Sequence, residues 1–144
     1  MVDIAACFRH YGWTCDEVDP GVWHSVFAVE TGRETGEVYD LYVLAADDWV
    51  QLAVSPLYTP SFRAVPERIL SFLLHTNQDL RLARLALDAD GDVNLLVDVP
   101  AQHINAEMFG QVLELLAYYA SELGPQLRSI DGGPGATFAS FVGD

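Results

Sequence analysis

Apolar positions along the chain keep two rhythms, one helical and one alternating. Residues 3–12 (DIAACFRHYG) place Ile4, Cys7, Phe8 and Tyr11 on one helical face, with Asp3 positioned as cap and Gly12 as terminator. Residues 13–21 are polar, and Asp19-Pro20-Gly21 is a turn signal. Three runs rich in β-branched and aromatic residues follow: 22–30 (VWHSVFAVE), 37–45 (EVYDLYVLA) and 49–58 (WVQLAVSPLY). They are separated only by the two-glycine stretch 31–36 and by Asp47-Asp48, connections short enough to predict an antiparallel meander. Pro56 has no N–H for a ladder, so it is expected near an edge or at the strand end.

In the second half Pro66 opens a helix over residues 66–76, with Ile69, Leu70, Leu73 and Leu74 as its stripe and Asn77 as a left-handed terminator. Residues 82–87 and 93–99 read as two strands joined at Asp88-Ala89-Asp90-Gly91-Asp92, a hairpin turn. Asn105 caps a long helix whose Phe109, Val112, Leu113, Leu116, Ala120 and Leu123 share a face, and Gly124-Pro125 is expected to stop it. The order helix, three strands, helix, two strands, helix predicts an α+β fold: a five-stranded antiparallel sheet with helices packed on it. One domain over residues 1–130 and a flexible Gly-rich tail over 131–144 follow, with Phe138, Phe141 and Val142 available to dock.

One segment carries a family resemblance. Phe72-Leu73-Leu74, Asn77, Leu85-Ala86-Leu87-Asp88, Asp90-Gly91-Asp92-Val93 and Val97-Asp98-Val99-Pro100, leading into the closing helix, resemble the YbjN family. The first helix with Gly12-Trp13 behind it fits as well, so the likeness spans roughly residues 3–128. It implies a fold like that of the type III secretion chaperones. Members are labelled sensory transduction regulators, and their structural relatives hold unfolded segments of effector proteins and dimerise. The matching residues are core and turn positions rather than chemistry, and fold does not fix function.

Charge narrows the field of partners. The chain has 21 acidic residues against 7 basic ones, all arginine, for a net charge of -14. Such a molecule repels phosphate backbones and anionic bilayers, so neither nucleic acid nor membrane is an expected partner. No apolar run approaches the roughly 18 residues of a membrane helix, and the N-terminus reads as no secretory leader. A cytoplasmic protein is the expectation. Cys7 and Cys15 match no zinc or redox spacing and are expected as incidental thiols.

Candidate chemistry is thin. Asp88, Asp90 and Asp92 suggest a calcium loop, but Gly91 falls at the fourth position and Val99 at the twelfth, where an EF-hand needs glycine at six and glutamate at twelve. A hairpin turn accounts for all three aspartates. His10, His24, His75 and His103 form no ligand pattern, and the C-terminal end of a helix accounts for His75. There is no G-x-S-x-G, and Gly132-Gly133-Pro134-Gly135 lacks the lysine and strand of a phosphate loop. No catalytic residue, metal or cofactor is expected, and the chain is read as a non-enzyme.

What stands out is that both sides of the first three strands are apolar. Trp23, Phe27 and Val29 oppose Val22, Val26 and Ala28; Tyr39, Leu41 and Val43 oppose Val38, Tyr42 and Leu44; Val50, Leu52 and Val54 oppose Trp49, Ala53 and Leu57. Three helices cannot cover both faces of five strands, so one face should expose apolar and aromatic surface. Burying roughly 500 Å² of it is worth about 12 kcal/mol in gross transfer terms. The expected function is protein or peptide binding, chaperone-like or regulatory, through this face and as a homodimer. Trp23, Phe27, Tyr39, Tyr42 and Trp49 are the candidate contacts, and acidic rims would select a basic partner. The alternative is a regulator that senses a small molecule between helix and sheet.

Overall fold

A computed structural model describes residues 2–31, 34–61 and 65–132 of the chain. Helix α1 (Ile4–Tyr11) is capped by Asp3, whose side chain accepts from the Ala6 N–H at 3.0 Å, and it ends at Gly12. Strands β1 (Asp16–Asp19), β2 (Val22–Thr31), β3 (Glu34–Ala45) and β4 (Trp49–Tyr58) follow. Then come α2 (Glu67–Asp79), β5 (Ala83–Leu87), β6 (Val93–Pro100), a short 3-10 turn and α3 (Ala106–Asp131). The strands make one antiparallel sheet in the order β1-β2-β3-β4-β6-β5, so β1 and β5 are its edges. The α+β class is as expected, with six strands instead of five. The extra strand, β1, is four residues long and fully exposed, so no apolar alternation marks it.

The core lies between the sheet and α3. Phe109, Val112, Leu113, Leu116, Ala120 and Leu123, the stripe expected from spacing, are all buried, and Leu127 extends it. Phe8 of α1 meets Phe109 edge to face, ring centroids 4.9 Å apart, which fixes α1 on α3. From the sheet come Leu41, Val43, Val50, Leu52, Val54, Val93, Leu95, Val97 and Val99. They alternate along their strands because side chains on a strand change face at every residue.

Two local expectations are corrected. α3 does not stop at Gly124-Pro125 but runs through Pro125 to Asp131. Proline costs a helix interior a hydrogen bond, and burial of Leu123, Leu127 and Asp131 on either side holds the helix together despite it. α2 outlasts Asn77, which lies within it: the Asn77 amide accepts from the Leu85 N–H at 2.7 Å and donates to the Leu85 carbonyl at 3.0 Å. Pro56 lies near the end of β4, as expected, beyond Val54 where pairing with β3 ends and where the register with β6 shifts. Of the expected turn 31–36, residues 34–36 belong to β3, and 32–33 lie outside the described residues. The expected tail begins inside α3, and its residues 133–144 also lie outside them.

Candidate functional site

Parity along the strands decides which side chains share a face. In the register of β2 with β3, Trp23 pairs Val43, Ser25 pairs Leu41 and Phe27 pairs Tyr39, all on the side covered by the helices. Val22, His24, Val26 and Ala28 of β2 and Val38, Asp40, Tyr42 and Leu44 of β3 point the other way. β4 adds Trp49, Gln51 and Ala53 to this second face, β6 adds Asn94, Leu96 and Asp98, and β5 adds Arg84 and Ala86. Among the described residues, no helix packs on it.

The five aromatic candidates therefore divide. Phe27 and Tyr39 are only 8% and 5% exposed, buried beneath the helices. Trp23 is half-buried on that same covered side. Trp13 covers Phe27 from α1's end, stacked at 5.4 Å. Only Tyr42 and Trp49 lie on the open face, so the structure does not bring the five together. Size and aromaticity pointed to the wrong neighbours. The apolar residues exposed there are Val26, Val38, Leu44 and Trp49, with Val38 reaching 67%. Spacing alone had placed Val38, Leu44 and Tyr42 together on one side of β3.

The open face is patterned rather than uniformly apolar. Tyr42, Ala53 and Leu96 lie abreast on β3, β4 and β6 and form its middle. Tyr42 packs on the His24 ring at 4.9 Å, and His24 Nε2 lies 2.8 Å from Asp40 Oδ1. Across the sheet, Gln51 donates to Asp98 Oδ1 at 3.0 Å and Arg84 to Asp98 Oδ2 at 2.7 Å. His24, Asp40, Asp98 and Arg84 each already have an intramolecular partner. Between these groups Tyr42 and Leu96 are half-buried and Ala53 is buried.

Elsewhere the polar clusters are structural. Asp88 holds its hairpin: Oδ1 accepts from the Asp90 and Asp92 N–H groups and Oδ2 from the Asn94 amide, and these bonds keep its carboxyl below the usual aspartate range. His75 Nδ1 faces the Ser71 carbonyl at 2.8 Å, one turn back along α2. Asp131, 2% exposed, ties the end of α3 to β4 and the loop after it. Its Oδ2 accepts from the Tyr58 hydroxyl and from both the N–H and the hydroxyl of Ser61. Burial pushes this carboxyl up, but the bonds from Tyr58 and Ser61 and the nearby Arg68 guanidinium outweigh it and leave it below the ordinary range. The Tyr58 phenol is pushed up to about 12, by burial first and by the Asp131 carboxylate second. Cys7 and Cys15 are free thiols, and burial raises both. Among the described residues no group of three or more His, Cys, Asp or Glu side chains is arranged to hold a metal ion, and no helix is long and apolar enough to cross a membrane.

Six antiparallel strands, three helices on one side and a bare opposite side define an α+β fold of the type III secretion chaperone kind. The chain superimposes with a TM-score of 0.57, at 16% identity, on a chain of the heterodimeric ExoU–SpcU complex from the type III secretion system of Pseudomonas aeruginosa, covering 85% of this chain and 96% of that one. A chain of the ExsC–ExsE complex gives the same score and identity over 85% and 89% of the two chains. A chain of the HopA1–SchA chaperone–effector complex follows at 0.56 and 13% identity, over 87% and 99%. No protein-family model and no curated protein matches the sequence.

Proposed function

We propose that this chain is a non-enzymatic protein-binding module that holds an apolar, basic segment of a partner on its open sheet face and works as a homodimer. The observation that carries this is the uncovered face itself, where Val26, Val38, Leu44 and Trp49 are exposed in a chain of net charge -14. An apolar surface on an acidic body recruits segments that pair hydrophobic residues with arginine or lysine. Tyr42 and Trp49 are the aromatic contacts of this reading, with Val26, Val38 and Leu44 beside them. Three neighbours of the fold come from complexes of two proteins, one of them a chaperone–effector complex, which supports this use. The YbjN likeness of residues 72–100 fits the same reading, as does a cytoplasmic setting with neither nucleic acid nor membrane as partner. The functional unit is proposed to run to the end of α3, just past the boundary at 130.

Reduced, carbamidomethylated lysozyme, a permanently unfolded basic chain, is a suitable probe. Fluorescence anisotropy should show saturable binding at micromolar concentration, lost on Val38→Asp or Leu44→Asp. Absence of binding at 100 µM, or equal binding by these variants, would count against the reading.

A further inference from the structure

Helix α2 buries Ile69 and Leu73 and turns Leu70 and Leu74 outward, Leu74 being 76% exposed. Between α2 and β5 runs a groove of about 310 Å³, walled by Leu70, Leu73, Leu74, Leu85 and Leu87. One end of this groove opens where α3 finishes. Arg68, in the first turn of α2, donates from Nε to the Ile130 carbonyl at 2.9 Å and from Nη2 to the Asp131 carbonyl at 3.3 Å. Just before α2, Val65 lies against the β5–β6 turn, 3.9 Å from the place a Cβ would take at Gly91. The start of α2 therefore sits between the last residues of α3 and the end of β5, with Leu70 and Leu87 at the mouth of the groove. Residues 67–87 are also the exception to the chain's acidity. They carry Arg68, Arg81 and Arg84 against Glu67 and Asp79, a net +1 within a chain of -14.

We infer that this groove is filled by the chain's own C-terminal segment, with Phe138, Phe141 and Val142 packed against Leu70, Leu74 and Leu87. These three belong to residues 133–144, which lie outside the described residues and follow directly from the end of α3. The reach is sufficient. Phe138 stands six positions past Gly132, a span of up to about 20 Å at roughly 3.3–3.6 Å per residue. Along α2 the rise from Arg68 to Leu74 is only about 9 Å. The pattern suits the groove: three large apolar side chains fall within residues 138–142, behind Gly133-Pro134-Gly135, residue types that turn a chain. Charge agrees, since residues 133–144 hold one acidic residue and no basic one. They are repelled least by the net-positive stretch 67–87. Strand addition is blocked at the middle of this edge, because the Asn77 amide occupies both the N–H and the carbonyl of Leu85. The contact is therefore made by side chains. A short tether presents the segment at an effective concentration on the order of 1 mM, so a contact of only about 100 µM affinity between separate molecules closes the groove about tenfold over. The groove lies at the β5 edge, apart from the open sheet face, and the inference stands independently of the function proposed above.

Limited chymotrypsin digestion of the full chain, read by intact mass spectrometry, tests this, because cleavage after Phe138 or Phe141 follows the population of the released segment. Cleavage is expected to be at least tenfold slower than in a synthetic peptide of residues 133–144, and equally so at 1 and 50 µM protein. Leu74→Asp places a carboxylate at an exposed position of the groove wall and should raise the rate to that of the peptide. Leu87→Asp, on the opposite wall, should do the same, and a thermal melt of each variant verifies that the fold is kept. Three results overturn the proposal: a wild type cut as fast as the peptide, slow cleavage that a folded Leu74→Asp or Leu87→Asp variant leaves unchanged, or protection that appears only at 50 µM. The first is the result expected if the groove serves a separate partner, and the last would put a second copy's segment in it.

Discussion

Tyr39 and Gly124 share one space: the tyrosine hydroxyl of β3 lies where the Cβ of any other residue at position 124 of α3 would stand. Glycine inside a helix costs about 1 kcal/mol relative to alanine, and here its bareness lets a buried tyrosine lie beneath the helix. Gly124→Ala should therefore lower stability by about 1–3 kcal/mol in spite of the better helix former. The hydroxyl is buried and makes no hydrogen bond of good geometry; it faces the Arg128 guanidinium, which bonds Glu37 at 3.2 Å. Tyr39→Phe should then be neutral or stabilising, and should recover part of the loss when combined with Gly124→Ala. Urea midpoints of the four proteins check this, and strictly additive changes would show that the two residues do not compete for space.

Asp131 sets a dependence on acid. Its folded-state pKa lies below the ordinary aspartate value, so the folded protein binds this proton less tightly than the unfolded chain does. The stabilisation it contributes is present above about pH 4 and is lost as pH falls through the folded-state pKa. Wild type and Asp131→Asn should differ in urea midpoint at pH 7 and converge toward pH 3; a gap that stays constant would absolve the carboxylate. Tyr58 acts at the opposite end of the scale. With its phenol pushed up to about 12, its contribution is present below pH 10 and lost as pH rises toward 12.

The β5–β6 hairpin depends on two residues of its turn. Gly91 has a φ of 85°, and alanine there should cost about 1 kcal/mol. Asp88→Ala releases the Asp90 and Asp92 N–H groups and the Asn94 amide together. Hydrogen exchange should then quicken at β5 and β6 before it does in α3. Uniform acceleration over the whole molecule would argue for a single cooperative unit instead.

The open face and the covered face respond differently to charge. Leu44→Asp and Val38→Asp lie on exposed positions and should change stability by no more than about 0.5 kcal/mol. Phe27→Asp buries a carboxylate under α3 and should unfold the protein. Binding of the unfolded basic probe should also weaken as NaCl rises, because screening reduces attraction to an acidic surface. Circular dichroism alongside the anisotropy titration distinguishes lost binding from lost fold.

Most elements were legible from spacing alone. The apolar stripe of α3, the strand pair around Asp88–Asp92 and the α+β order follow from local rhythm, because periods of 3.6 and 2 are written into consecutive residues. β1 was not legible, since four exposed residues become a strand only through the neighbour they pair with. Pro125 and Asn77 misled for a related reason. Each is a terminator by local preference, and each is overruled by contacts with residues distant in the chain.

The candidate surface shows the same division more sharply. The sequence by itself determined that β2, β3 and β4 are apolar on both sides, and hence that one side would be left bare. It could not say which, because alternation defines two faces and does not label either of them. Only the tertiary structure decided this, by laying α3 across Phe27, Tyr39, Leu41 and Leu52 and leaving Val26, Val38, Tyr42 and Trp49 uncovered. The physical reason is that a strand's parity is local, whereas the placing of a helix depends on the packing of the whole core.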